Sequence, residues 1–358
     1  MNTVQTVTGP CTADELGITQ MHEHLVSDFT MYLSPELESD PFRHQSVCLG
    51  NLYEMKTRLM NVEVLSVSDT DVAVEEVESF RSAGGQTVVD ATSIGIGRNP
   101  QALRSISQRT GVNVVMGSGW YVATSLDSSF ADRSVESLAD EIVADLEDGV
   151  GETGIRAGMI GEVGLSWPHH PLEERSLKAA CIAQSRTGVA LQIHPGRHPD
   201  SPQLAMDAVR RYGADTSRTI ICHVERTLTN LNDMIALAKT GCMLEFDLFG
   251  QESSYYFVPS FTGMPNDAGR VRLLSALIDS GYGDRLLLSQ DICTCVHLTR
   301  YGGEGLHHLL SRAVPLMRRM GMSNEDVCQL LVANPARVLV GVAPSAQSVS
   351  TNHWQGVS

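Results

Sequence analysis

The sequence predicts a parallel (β/α)₈ barrel, and three observations carry that reading. Eight short, apolar, β-rich runs recur along the chain. Helix-like sequence lies between successive runs. No linker or low-complexity tract divides the 358 residues into separate units. Strand–helix alternation repeated eight times builds a parallel sheet that closes on itself. An open doubly wound sheet is the competing arrangement, but eight evenly spaced strands close more naturally than they stay open.

The runs follow in order. LGITQMHEH ends at His24, QTVVDATS surrounds Asp90, NVVMGSGWY ends at Tyr121 and AGMIGEVGLS surrounds Glu162. VALQIHPG then carries His194, RTIICHVE carries His223, CMLEFDLFG carries Asp247 and RLLLSQDI carries Asp291. Among the intervening segments, SVESLADEIVADLEDG, EERSLKAACIAQSRTG, SPQLAMDAVRRYG, LNDMIALAKTG and AGRVRLLSALIDSG place apolar residues at helical spacing. Several of these end in Gly, as helices commonly do. Residues 30–80 read as an insertion between the first two strands, with a helix-like run of its own, TDVAVEEVESFRSAGG. One barrel domain is expected over residues 1–342. The small, polar tail APSAQSVSTNHWQGVS, residues 343–358, is expected to be disordered.

Composition excludes several function classes. A formal charge of −16 argues against nucleic acid as a partner, because phosphate binding needs clustered cations and only three lysines occur. No stretch approaches the ~20 apolar residues of a membrane span. The polar N-terminus has no secretory apolar run. Eight cysteines are scattered, several inside apolar runs, as reduced buried thiols are. That usage predicts a reducing, cytoplasmic setting. Cys293-Thr-Cys295 is a weak metal or redox motif, and structural thiols are the simpler reading. The sequence does not fix oligomeric state; a homodimer is compatible with it.

The ends of the runs carry the chemistry. In GITQMHEHLVSDF, His22 and His24 are one residue apart, so on a strand both side chains face the same way and Glu23 points elsewhere. In a barrel the reactive groups gather at the C-terminal ends of the strands. Those ends here supply His22, His24, Glu162, His194, His223 and Asp291. Each alone reads equally as a core histidine, an ion-pair partner or a helix cap; the joint pattern is what is specific. Six ligands exceed one tetrahedral zinc and suit two divalent ions sharing a carboxylate. His22, His24 and Asp291 would hold one ion, His194 and His223 the other, and Glu162 would bridge. Imidazole plus carboxylate fits Zn, Mn, Fe or Co, with zinc the first expectation. A water between the ions would lose its proton near neutral pH and become the nucleophile, and one ion would polarise a carbonyl or phosphoryl oxygen.

ELGITQMHEHL (Glu15–Leu25), with the later HP, CHVERT, LEFDLFG and LLLSQDI segments, resembles the phosphotriesterase family of the amidohydrolase superfamily, over about residues 3–340. The resemblance puts that family's ligands on His22, His24, His194, His223 and Asp291. Typical members bridge their metals with a carboxylated lysine on the fourth strand. Here GMIGEVGLSW has no lysine, and Glu162 takes that place. This departure resembles the phosphotriesterase-related branch, and it weakens any expectation of organophosphate triester hydrolysis. For that branch the resemblance implies cleavage of the amide in small N-acylated anions, N-acetyltaurine and N-acetyl amino acids among them. A lactonase or phosphoester hydrolase on the same site is the alternative, and a non-enzymatic barrel the third reading. Asp291 is the best-placed proton carrier for the leaving amine. Arg197 in HPGRH and Arg226 in HVERT are candidates for gripping the acid group, since Arg suits multi-oxygen anions; each could instead pair with Asp200 or Glu225. Likeness to related lactonases makes Tyr121 a candidate for steadying the carbonyl oxygen. Trp167 is a candidate wall for the acyl pocket, with simple packing as its other reading. YGGEGLHHLL, after the last strand, is a candidate lid.

Overall fold

The computed structural model describes residues 2–342 and 344, except 59 and 253–262. The expected tail, 343–358, lies outside the described residues but for Pro344. The eight runs form one eight-stranded sheet: β1 (Thr19–Glu23), β2 (Thr87–Asp90), β3 (Asn113–Ser118), β4 (Met159–Gly164), β5 (Leu191–His194), β6 (Thr219–Ile221), β7 (Met243–Phe246) and β8 (Leu286–Leu288). Each strand pairs in parallel with the next in sequence, in the spatial order β1 to β8 without reversal. A doubly wound sheet reverses direction at a switch point, so that alternative is excluded.

The seam between β8 and β1 closes through a side chain. Glu23 turns away from its two histidine neighbours and accepts Ser289 Oγ–H at 2.7 Å and the N–H groups of Gln290 at 2.8 Å and Ile292 at 3.1 Å. Asp291 N–H donates to His22 O at 3.1 Å. Burial pushes the Glu23 carboxyl up to about 8, so these donors only partly offset the cost of desolvating it.

Residue alternation explains why the sheet is buried on both faces. Val88, Val114, Ile160, Ile193, Ile221, Leu244 and Leu286 pack outward against the helices in the main core. The neighbouring residues Met21, Val89, Val115, Met159, Ala190, Ile220, Met243 and Leu287, one from each strand or its immediate start, meet in a second cluster along the axis. Val4 and Cys11 of an N-terminal hairpin (Thr3–Thr6 with Gly9–Thr12), and Val338 and Leu339 of the final helix (Asn334–Val340), join that cluster and floor the barrel. The polar N-terminal sequence did not announce this hairpin.

The connecting helices are α1 (Thr70–Ser82), α2 (Pro100–Thr110), α3 (Val135–Glu147), α4 (Pro171–Thr187), α5 (Ser201–Arg211), α6 (Leu231–Ala238) and α7 (Asp267–Asp279). Side chains of Asp69, Asn99, Ser134, Asn230 and Asn266 accept the first-turn N–H groups of α1, α2, α3, α6 and α7, each cap contributing about 1 kcal/mol. The run assigned to the insertion, TDVAVEEVESFRSAGG, is α1, the ordinary crossover from β1 to β2. Helix α2 was not legible: its buried aliphatic side chains are Leu103 and Ile106, and the rest of the run is largely polar. The remaining insertion is short 3₁₀ turns, a helix at Leu52–Arg58, and a two-residue ladder pairing Ser27–Asp28 with Ser66–Val67.

Candidate metal centre

His22, His24, Glu162, His194, His223 and Asp291 all lie at the C-terminal mouth and all are buried. β1 shifts register between Gln20 and Glu23, and the His22 and His24 rings sit 5.4 Å apart. Glu162 rises from the middle of β4. Gly161 precedes it at φ +120, where a Cβ would lie 2.3 Å from Gln192 O, so only glycine fits there. His223 and Asp291 have φ of 53 and 50 and are the only non-glycine residues with positive φ among the described residues. Such conformations cost of order 1 kcal/mol or more and gather at functional sites. His223 is held there by Asp247, whose Oδ2 accepts its N–H at 2.9 Å.

Distances sort the ligating atoms into two groups, His22 with His24 and Asp291, and Glu162 with His194 and His223, each within 4.8 Å. Glu162 also reaches the first group: Oε1 is 3.4 Å from His24 Nε2, and Oε2 is 3.6 Å from His22 Nε2. Its Oε2 lies 2.9 Å from His194 Nδ1. A third group, His22 with Cys222, His223 and Asp247, reuses two of these imidazoles. Burial pushes the Cys222 thiol far above the ordinary range, so it offers no ready thiolate.

The far nitrogens of three imidazoles have partners. Nδ1 of His22 contacts Glu245 Oε2 at 3.2 Å, Nδ1 of His24 contacts Thr92 Oγ1 at 2.9 Å, and Nδ1 of His223 contacts Asp247 Oδ1 at 2.8 Å. Partners of this kind set the tautomer and aim Nε2 inward, as around bound metals. Sequence reasoning missed Glu245, Asp247 and Thr92. The signal was present: Glu245 on β7 and Asp247 just past its end are two apart, the same alternation that singled out His22 and His24.

These residues fit a pair of cations. His22 Nε2 and His24 Nε2 are buried and lack a hydrogen-bond partner, yet they face carboxylate oxygens of Glu162 and Asp291 at 3.3 to 3.7 Å. Buried polar atoms are rarely left so. Four buried carboxylates, Glu162, Glu245, Asp247 and Asp291, crowd the same space, and gathering like charge away from water costs several kcal/mol per ion unless cations compensate. Burial pushes Glu162 up to about 8. Burial, then Arg226, hold His194 and His223 well below the ordinary range, and burial lowers His24. These three are therefore neutral near pH 7, the form that binds metal. For His22, burial works against the charged form but the carboxylates Glu162, Glu245, Asp247 and Asp291 outweigh it, and the ring titrates well above its usual value.

Tyr121, Arg197 and Arg226 line the cavity over the two groups, with Phe29, Tyr32, Leu65, Cys293 and Thr294. Arg226 is buried in the short helix Val224–Thr227 with Nη2 3.1 Å from His194 Nε2. Tyr121 Oη lies 3.3 Å from the same nitrogen and accepts the Tyr32 hydroxyl at 3.1 Å. Burial, then Tyr32, raise the Tyr121 hydroxyl well above its normal range, so it stays protonated. The expectation that Trp167 walls this cavity is corrected. Its ring stacks on His198 at 4.0 Å and lines a separate cavity between α4 and α5. Cys293 and Cys295 are free thiols. The expected lid is knitted down: Gly305 N–H donates to His297 O at 2.9 Å, Leu306 N–H to Glu76 at 3.0 Å, and His308 Nε2 pairs with Asp267 at 2.7 Å.

No helix among the described residues is long and apolar enough to cross a membrane. The Phosphotriesterase family model matches residues 2–339. An N-acetyltaurine hydrolase of Dictyostelium discoideum is 37% identical, the match covering 94% of this chain and 97% of that protein. A solved resiniferatoxin-binding protein of Rhodobacter sphaeroides superposes with a TM-score of 0.91 at 37% identity, over 95% of both chains. The phosphotriesterase homology protein of Escherichia coli, solved with phosphate in its active site, superposes at 0.75 with 28% identity, over 90% of this chain and 98% of that one. A barrel whose mouth gathers four imidazoles and two carboxylates, matched nearly end to end, makes this chain a hydrolase belonging to the phosphotriesterase family.

Proposed function

We propose that the protein hydrolyses the amide bond of small N-acylated anions, N-acetyltaurine and N-acetyl amino acids being the class, with two divalent ions held at the barrel mouth. The observation that carries this reading is the position of Glu162, within 3.6 Å of nitrogens on both sides of the centre, in a cavity that also holds two arginines. His22, His24 and Asp291 would hold one ion, and His194 and His223 the other, with Glu162 available to both; zinc is the first choice, and Mn, Fe or Co also suit this donor set. When bound, the ions supply an activated water as nucleophile and polarise the acyl carbonyl.

This chain's residues do the rest. Arg197 and Arg226 hold the sulfonate or carboxylate, supplying local positive charge that a protein at −16 otherwise lacks. Tyr121, kept protonated, donates to the oxygen that gains charge as the carbonyl becomes tetrahedral. Asp291 takes the proton from the attacking water and delivers it to the amide nitrogen, so that the C–N bond breaks to a neutral amine and a carboxylic acid. The name of the Dictyostelium relative supports this substrate class.

The test is a panel of N-acetyltaurine, N-acetyl amino acids, an acyl-homoserine lactone and paraoxon, run on protein stripped with chelator and reloaded with Zn²⁺ or Mn²⁺. The expected result is metal-dependent amide cleavage that outstrips lactone and phosphotriester turnover. Fewer than one metal per chain, with no activity regained on reloading, would end the enzymatic reading. Turnover confined to the lactone or paraoxon would replace the substrate.

A further inference from the structure

We infer that Glu23 and Gln251 form a clip on the backbone around Asp291 that fixes its carboxylate against His22 and His24, so that the three present their ligand atoms as one unit and Glu23 is their positioning residue. The inference rests on the two-ion reading above and deepens it. Glu23 sits between the two histidines on β1, and its carboxylate reaches across the seam to both sides of Asp291. Oε1 accepts Gln290 N–H at 2.8 Å, and Oε2 accepts Ile292 N–H at 3.1 Å. Oε1 also accepts Ser289 Oγ–H at 2.7 Å, and that hydroxyl oxygen accepts His22 N–H at 2.8 Å. Asp291 N–H donates to His22 O at 3.1 Å. From the side of β7, Gln251 Nε2 donates to the carbonyls of Gln290 at 3.0 Å and Asp291 at 3.1 Å. Every backbone polar group from Gln290 N–H to Ile292 N–H is thus held by His22, Glu23 or Gln251.

The clip accounts for the left-handed backbone at Asp291. A φ of 50 persists in a residue with a side chain only where the surroundings over-determine it. Here five hydrogen bonds from outside the tripeptide do so, and Glu23, Ser289 and Gln290 are fully buried, so water does not compete for them. With the clip closed, Asp291 Oδ1 stands 3.3 Å from His24 Nε2 and 3.7 Å from His22 Nε2. Ligands held in place by such outer partners bind metal more tightly than ligands left to find their own positions. None of these bonds touches Glu162, His194 or His223, so loosening the clip should weaken one ion and spare the other.

The experiment titrates the metal-stripped full chain with Zn²⁺ against a chelating dye and resolves the two ions. The wild type is expected to take both. Glu23→Gln keeps the size of the side chain, but its NH₂ must face the N–H of Gln290 or Ile292, donor against donor. One ion should then bind about 10–100-fold more weakly, and the other at wild-type affinity. At saturating metal, kcat should stay depressed with KM close to wild type. Gln251→Leu leaves Glu23 in place and carries the test alone should Glu23→Gln fail to fold; it should weaken the same ion by a smaller factor. Glu76→Gln alters another buried carboxylate, which holds the same loop farther along at the N–H groups of Thr299 and Leu306, and should leave both affinities unchanged. In an Asp291→Asn background, Glu23→Gln should add little further loss, because a residue acting through another is not additive with it. Wild-type affinity for both ions in Glu23→Gln and Gln251→Leu overturns the clip and leaves the two-ion reading standing. So does equal weakening of both ions, or a full additional loss in the Asp291→Asn background. A wild type that takes no ion overturns the two-ion reading, and this inference with it.

Discussion

The two ends of the barrel are made from the same eight strands and differ in almost every physical respect. At the floor, Met21, Val89, Val115, Met159, Ile220, Met243 and Leu287 meet with no more than 1% exposure, and hairpin and terminal helix seal them. A few residues further along those strands, four imidazoles, two candidate ligand carboxylates and their acidic neighbours crowd together. Burying an aliphatic side chain gains about 1.5–3 kcal/mol, whereas an unneutralised buried carboxylate costs several. The floor therefore supplies stability and the mouth consumes it. The difference teaches where the chemistry is: no folding advantage explains the mouth, whereas its donor set fits cations.

Three substitutions can break or sharpen that contrast. Glu162→Gln has the largest expected effect, a fall in amide kcat/KM of at least ~10²-fold, the scale of losing one group that stabilises transition-state charge. The metal-free form of that variant should melt no lower than wild type, because Gln keeps the shape of the buried carboxyl and adds no charge. Retained activity would remove Glu162 from the centre, and a large drop in Tm would make it structural. Next, Met159→Ala at the floor should cost about 2–5 kcal/mol in denaturant unfolding while kcat/KM per folded, metal-loaded molecule stays close to wild type. An activity loss there exceeding the loss of folded protein would contradict the division of labour. Smallest, Asp247→Asn should weaken metal affinity by about 10–100-fold through His223, read by competition with a chelating dye. Activity should recover largely at saturating metal; unchanged affinity would show that Asp247 does not orient His223.

Legibility followed the range of the interactions. His22 and His24 could be read from period-two alternation, and His194, His223 and Asp291 from places at or just past strand ends, whereas Glu162, expected at a strand end, lies within β4. Glu245 and Asp247 obeyed the same alternation and were still missed, because one strand cannot reveal that β7 carries its acids beneath the imidazoles of β1 and β6. Trp167 was assigned to the wrong cavity because nearness in sequence to Glu162 does not reveal that its ring stacks on His198. Arg226 was found, but its burial against His194 depends on β5 and β6 lying side by side.

By itself the sequence determined the strand count, the parallel closed topology and the residue types brought to the mouth, since each follows from local periodicity and side-chain chemistry. Only the tertiary structure decided which imidazole nitrogen faces inward, how the seam closes, and that the insertion walls the cavity. Those depend on contacts such as Glu23 with Ser289, made between residues 266 positions apart, and no local pattern encodes which distant group will complete them.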